Sequence, residues 1–115
     1  MRALGATNSE ESSASVRERV AAARARQRSR YASLSGSRVN AEVPGRWLLA
    51  HGIVTAQARE VLETAATRLG LSARGYHRAL RVARTIADLD GCDEVRESAV
   101  LEALRYRDAR RGRDG

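Results

Sequence analysis

The sequence predicts an all-α fold, a small helical bundle of four main helices plus one short extra helix. Three observations carry that prediction. Apolar residues recur at spacings of three and four, and no segment alternates with the period of two expected of a half-buried strand. Ser or Thr precedes most of the periodic runs and Gly follows them, as at helix starts and ends. The single proline, Pro44, leaves long segments on either side free to be helical.

Residues 1–11 are polar and patternless, and read as a disordered N-terminal segment. Ser12, Ser13 and Ser15 then offer N-caps, with Ser15 and Glu18 matching a capping box. Val16, Val20, Ala23, Gln27, Tyr31 and Leu34 mark the inner face of a first helix ending near Tyr31–Ser33. Arg17, Arg19, Arg24, Arg26, Arg28 and Arg30 occupy its other faces. From Leu34 to Gly45 the chain is rich in Ser, Gly and Asn and reads as a connector. Pro44 suits the first turn of a short helix, Arg46–Ala50, anchored by Trp47 and stopped at Gly52.

Thr55 caps the next helix, whose stripe is Ala58, Val61, Leu62, Ala65 and Leu69. Gly70 is placed as its left-handed C-terminal residue, with Leu71 folding back as the apolar contact of that ending. Ser72 caps a helix that turns Tyr76, Ala79, Leu80, Ala83, Ile86, Ala87 and Leu89 inward and stops at Gly91. A last helix runs from about Glu97 to Tyr106 through Val100, Leu101 and Leu104, with Val95 packing just before it. Tyr31, Tyr76 and Tyr106 sit at helical spacings and read as core. The domain is then 12–107, and 108–115 reads as a disordered basic tail.

Length and composition narrow the function. A chain of 115 residues fits one domain with a modest core, built largely on alanine since phenylalanine is absent. No run approaches a membrane span, and the start Met1-Arg2-Ala3-Leu4-Gly5 lacks a signal peptide's apolar stretch. One cysteine, Cys92, excludes an internal disulfide and fits a reducing, cytoplasmic location. All 21 basic residues are arginine, and the net charge is +7. Residues 1–40 hold eight Arg and three acidic residues, 41–90 seven and five, and 91–115 six and six. The positive field thus sits mainly on the first half, where Arg17, Arg24 and Arg28 are candidates for salt-dependent contact with nucleic acid.

Catalytic signals are missing. His51 and His77 lack the spacing of a zinc site, and Cys92 has no neighbouring base. There is no GxxxxGK[ST] phosphate loop and no nucleophile-and-base pairing. One position stands out. Arg74 falls in the first turn of the helix capped by Ser72, where the macrodipole disfavours a cation and backbone N–H groups favour an anion. Gly75 beside it costs about 1 kcal/mol of helix propensity against alanine, which suggests a close approach. Arg74, Arg78 and Arg81 align on one flank, and His77, Arg81, Arg84 and Asp88 on the next. On composition these flanks read as a solvated basic face, with Arg74 as an anion contact and Arg78 as a further phosphate or interface contact.

Two segments carry a family resemblance. Ser12-Ser13-Ala14-Ser15-Val16-Arg17-Glu18-Arg19-Val20-Ala21-Ala22-Ala23-Arg24 resembles the helix that opens the C-terminal lid of magnesium-chelatase-like AAA+ ATPases of the ComM/YifB group. The run Leu71-Ser72-Ala73-Arg74-Gly75-Tyr76-His77-Arg78 with Ala83-Arg84-Thr85-Ile86-Ala87-Asp88-Leu89, then Gly91 and Glu102–Arg107, is similar to the end of the same proteins. Asn40-Ala41 and Gly45 fit the connector, while the surroundings of Trp47 are less typical.

The resemblance implies an AAA+ lid fold within a ring-forming, DNA-remodelling ATPase, a branch-migration helicase of natural transformation in part of the group. It places Arg74 at the sensor-2 position, reaching the γ-phosphate of ATP. ATP and magnesium are expected only in the full-length ATPase, where the phosphate loop, acidic magnesium-binding motif, sensor-1 Asn and arginine finger lie upstream. The expected partners are that upstream α/β module and neighbouring subunits of the ring, with DNA a further candidate and no membrane. This chain alone is not expected to hydrolyse ATP. A stand-alone basic helical DNA-binding module using Arg17, Arg24 and Arg28 is the alternative, and an adaptor that docks on a full-length relative is a third.

Overall fold

The computed structural model describes residues 12–34 and 39–114. Its elements are α1 (Ser13–Arg30), a 3-10 turn (Asn40–Glu42), α2 (Gly45–His51), α3 (Ala56–Leu69), α4 (Ala73–Leu89) and α5 (Glu97–Asp114). This is the expected all-α bundle, with α2 as the short extra helix. No strand is present among the described residues; Val54 and Val95 form one isolated parallel bridge.

Most helix ends follow the sequence signals. The Thr55 hydroxyl accepts from the Ala58 N–H at 3.0 Å, and the Ser72 hydroxyl from the Gly75 N–H at 3.1 Å. Gly70 ends α3 at φ 65°, and the Leu71 N–H reaches back to the Ala66 carbonyl at 3.0 Å. After α4, Gly91 has φ 73°, with the Cys92 N–H bonded to the Ala87 carbonyl at 2.8 Å. Of the three candidate serines, Ser12 caps α1, accepting from the Ser15 N–H at 3.0 Å. One end differs from expectation. The helix α5 continues past the expected end near Tyr106, to Asp114. The expected disordered segment 1–11 lies outside the described residues.

The core gathers around α4. Leu48, Leu62, Leu80, Val43, Val95, Val100 and Tyr31 are buried, together with alanines of α3, α4 and α5. The most extensive helix pair is α4 with α5. Both bury alanines there, Ala79, Ala83 and Ala87 on one and Ala99 and Ala103 on the other, which permits close helix approach without aromatic plugs. The expected inner stripe of α1 is only half realised. Ala23, Gln27 and Tyr31 are buried, but Val16 and Val20 are 40% and 38% exposed. Leu69, Leu101 and Tyr106, also expected inside, are exposed. No described helix is long and apolar enough to cross a membrane.

Candidate functional site

The helix α4 presents two different faces. Its outer flank carries Arg74 and Arg78, both exposed, and then Arg81, whose Nε donates to the Val43 carbonyl at 2.8 Å. These three arginines line an open groove of about 760 Å³. Arg19 of α1 and Glu102 and Tyr106 of α5 form its other walls, and Val82, Ile86 and Leu89 contribute apolar surface. The Tyr106 hydroxyl donates to Glu102 Oε2 at 3.0 Å. Arg74 lies at the first turn, just past the Ser72 cap, so the groove begins at the positive end of the helix dipole. The sequence aligns Arg74, Arg78 and Arg81 on one flank; the fold adds Arg19 and Tyr106, which no local spacing connects to them.

Gly75 has no internal reason to be glycine. A Cβ there would meet Ser72 Oγ at 3.5 Å and Leu71 Cβ at 3.8 Å, ordinary contacts. Gly45 is the opposite case. A Cβ there would fall 2.2 Å from His77 Cγ, so the close approach lies between α2 and the His77 ring.

The inner flank overturns the reading of Arg84 and Asp88 as part of a solvated face. Both side chains are fully buried. Arg84 donates to the carbonyls of Gly52 (2.5 Å), Asp93 (2.9 Å) and Cys92 (2.9 Å) and to Asp88 Oδ1 (3.1 Å). It therefore ties the loop before α3 and the loop after α4 to one helix. Asp88 also accepts from Arg30 through both oxygens (2.6 and 3.0 Å) and from Asn40 Nδ2 (3.0 Å). Asn40 joins the rest: its Nδ2 donates to Thr85 Oγ1, its N–H to Gln27 Oε1, and the Tyr31 hydroxyl donates to its Oδ1. A buried cation is tolerable only when paired and hydrogen-bonded, and this cluster meets that condition on all but Arg84 Nε.

Burial pushes the Arg84 pKa down, opposed by the Asp88 charge. Burial acts the same way on Arg30, but its hydrogen bonds to Asp88 and Tyr31 outweigh it and hold the pKa above the ordinary value. Burial pushes the Tyr31 phenol up. Periodicity misses this cluster because spacings of three and four describe a face without saying whether an arginine on it points to water or to carbonyls. The available signal was the i,i+4 pair Arg84–Asp88, set among the apolar positions Ala83, Ile86 and Ala87.

The remaining candidates separate cleanly. Arg17, Arg24 and Arg28 are exposed on α1 and are absent from the groove walls. His51 stacks on Trp47 with centroids 4.7 Å apart, and His77 packs edge-on to Tyr76 at 5.7 Å. Among the described residues no group of three or more His, Cys, Asp or Glu is placed to hold a metal ion.

Comparison with known proteins bears on this arrangement. Residues 10–107 match the family described as magnesium chelatase, subunit ChlI C-terminal. YifB of Salmonella typhimurium is 39% identical over 97 residues, which is 84% of this chain and 18% of that protein. The competence protein ComM of Haemophilus influenzae is 38% identical over 97 residues, again 84% of this chain and 18% of the relative. An uncharacterized protein of Mycobacterium tuberculosis is 42% identical over 97 residues, 84% of this chain and 19% of its own length. The chain thus spans less than a fifth of these relatives. No solved structure matches it. With nearly its whole described bundle inside the matched region, the chain belongs to the magnesium chelatase ChlI C-terminal family.

Proposed function

We infer that this domain serves as the helical lid of a ComM-like AAA+ ATPase and that Arg74 is its sensor-2 contact to the γ-phosphate of ATP. The observation that supports this most is the position of Arg74, exposed in the first turn of α4 at the rim of a groove continued by Arg78 and Arg81. A guanidinium stays charged at any physiological pH and pairs two phosphate oxygens at once. Arg74 would hold the terminal phosphate, with Arg78 one turn on as a second phosphate or interface contact. When bound, magnesium-ATP supplies the phosphoanhydride that is cleaved. Charge stabilisation by such an arginine is a main source of rate in phosphoryl transfer.

The inner flank gives the lid its stiffness. Arg84 and Asp88 fix α4 to α1 and to two loops, so Arg74 is carried by a rigid body when the lid moves. The phosphate loop, magnesium ligands and arginine finger belong, in this reading, to the α/β module and neighbouring ring subunits of a longer cytoplasmic protein. Hydrolysis and DNA remodelling are activities of that assembly, and this chain alone is read as non-catalytic. The test is nucleotide preference in a full-length protein carrying this domain. Arg74→Ala should narrow the preference for a non-hydrolysable ATP analogue over ADP by about 10- to 100-fold, as expected for one charge-assisted contact. An unchanged preference overturns the sensor assignment.

A further inference from the structure

The arginines of α1 divide into two sets. Arg26 and Arg30 are used by the fold: Arg26 pairs with Asp93 at 2.8 Å and Arg30 with Asp88 at 2.6 Å. Arg17, Arg24 and Arg28 are exposed, and among the described residues none of them makes an ion pair or hydrogen bond. Their spacing of seven and four residues places them within about 40° of one another around the helix and over about 16 Å of its length. Ala21 and Ala25, also exposed, sit beside them and leave the backbone of α1 approachable.

We propose that this stripe is a docking surface for the phosphodiester backbone of duplex DNA, separate from the groove at Arg74. The chemistry of the stripe selects that partner. Three guanidinium donors in a straight row, each able to pair two phosphate oxygens, suit a rigid line of phosphates, of which one strand of a duplex offers about five over 16 Å. The stripe carries no exposed aromatic ring, the feature on which single strands stack. It has no broad apolar face, which an interfacial membrane helix needs, since Val16 and Val20 lie on its flank. Nor does it offer the apolar centre of a protein–protein contact. With no Asn or Gln exposed along it, the contact positions DNA without reading its sequence.

The test is a salt titration of the 115-residue chain against a fluorescent 20-base-pair duplex, read by anisotropy. Three phosphate contacts contribute about −2.7 to the slope of log K against log salt, roughly a 40-fold loss of affinity between 50 and 200 mM. Replacing Arg17, Arg24 and Arg28 together by Gln should remove that increment, with helix content by circular dichroism unchanged. Replacing the three by Lys should restore it. A second variant with Arg46, Arg68 and Arg105 changed to Gln removes the same net charge from other exposed positions and should keep the slope. Two duplexes of unrelated sequence should bind alike. Absence of binding at 50 mM salt overturns the proposal, as does an equal loss in both Gln variants, which would make the effect one of net charge. Tighter binding to a single strand than to a duplex, or to phosphatidylserine vesicles than to DNA, overturns it as well.

Discussion

Asp88→Asn should be among the most damaging conservative changes this domain can suffer. The two oxygens of Asp88 accept four hydrogen bonds, two from Arg30 and one each from Arg84 and Asn40. Asparagine keeps the shape but turns one acceptor into a donor, and whichever oxygen is lost faces donors. It also removes the negative charge that offsets Arg84, fully buried, and Arg30, whose side chain is 14% exposed. Breaking one side of a buried ion pair costs about 3–5 kcal/mol, a large part of the 5–15 kcal/mol typical of a whole domain. Urea unfolding followed by far-ultraviolet circular dichroism measures it. At an m-value of about 2 kcal/mol per molar, the midpoint should fall by about 2 M with m unchanged. Asp93→Asn is the comparison. Its partner Arg26 is 36% exposed and Asp93 83%, so the loss should stay under about 1 kcal/mol. Equal, small shifts in the two variants would refute the claim that the inner flank of α4 holds the bundle together.

Three further outcomes follow from the same geometry. Gly75→Ala should raise stability by about 0.5–1 kcal/mol, because its Cβ meets only ordinary contacts; a lowered melting temperature would contradict this. Gly45→Ala should lower stability by about 1–3 kcal/mol, since its Cβ would overlap the His77 ring; unchanged unfolding would refute the close approach. The fold raises the Tyr31 pKa by burial, so the native state favours the neutral phenol that donates to Asn40. That contribution is intact below the unfolded tyrosine pKa of about 10 and is lost as pH rises above it. Urea midpoints at successive alkaline pH values should fall for the native chain and fall less for Tyr31→Phe.

Much of the bundle was legible because its ends are written locally. Thr55, Ser72, Gly70 and Gly91 each perform the capping chemistry their residue type predicts. What escaped was long-range. Asn40 reads as a connector residue, yet its amide is buried between Gln27, Thr85 and Asp88, partners up to 48 positions away. Val16 and Val20 keep helical spacing but find no covering surface among the described residues, since periodicity records a face and not what meets it. At the candidate site, Arg74, Arg78 and Arg81 were visible as a row on one helix. Arg19 and Tyr106 reach the same groove from α1 and α5, a convergence that no local pattern encodes. The close approach expected at Gly75 is not found among the described residues, where its Cβ would meet only ordinary contacts; that demand falls instead on Gly45.

The most direct test of the lid reading is ATP turnover by a full-length protein carrying this domain with Arg74→Ala. The guanidinium is exposed, and no ion pair or hydrogen bond involving it is found among the described residues, so the melting temperature of the lid should not change. Turnover at saturating ATP should fall by about 100-fold, the scale of losing one preorganised contact to transition-state charge. Wild-type turnover in a correctly folded variant would contradict the role assigned to Arg74.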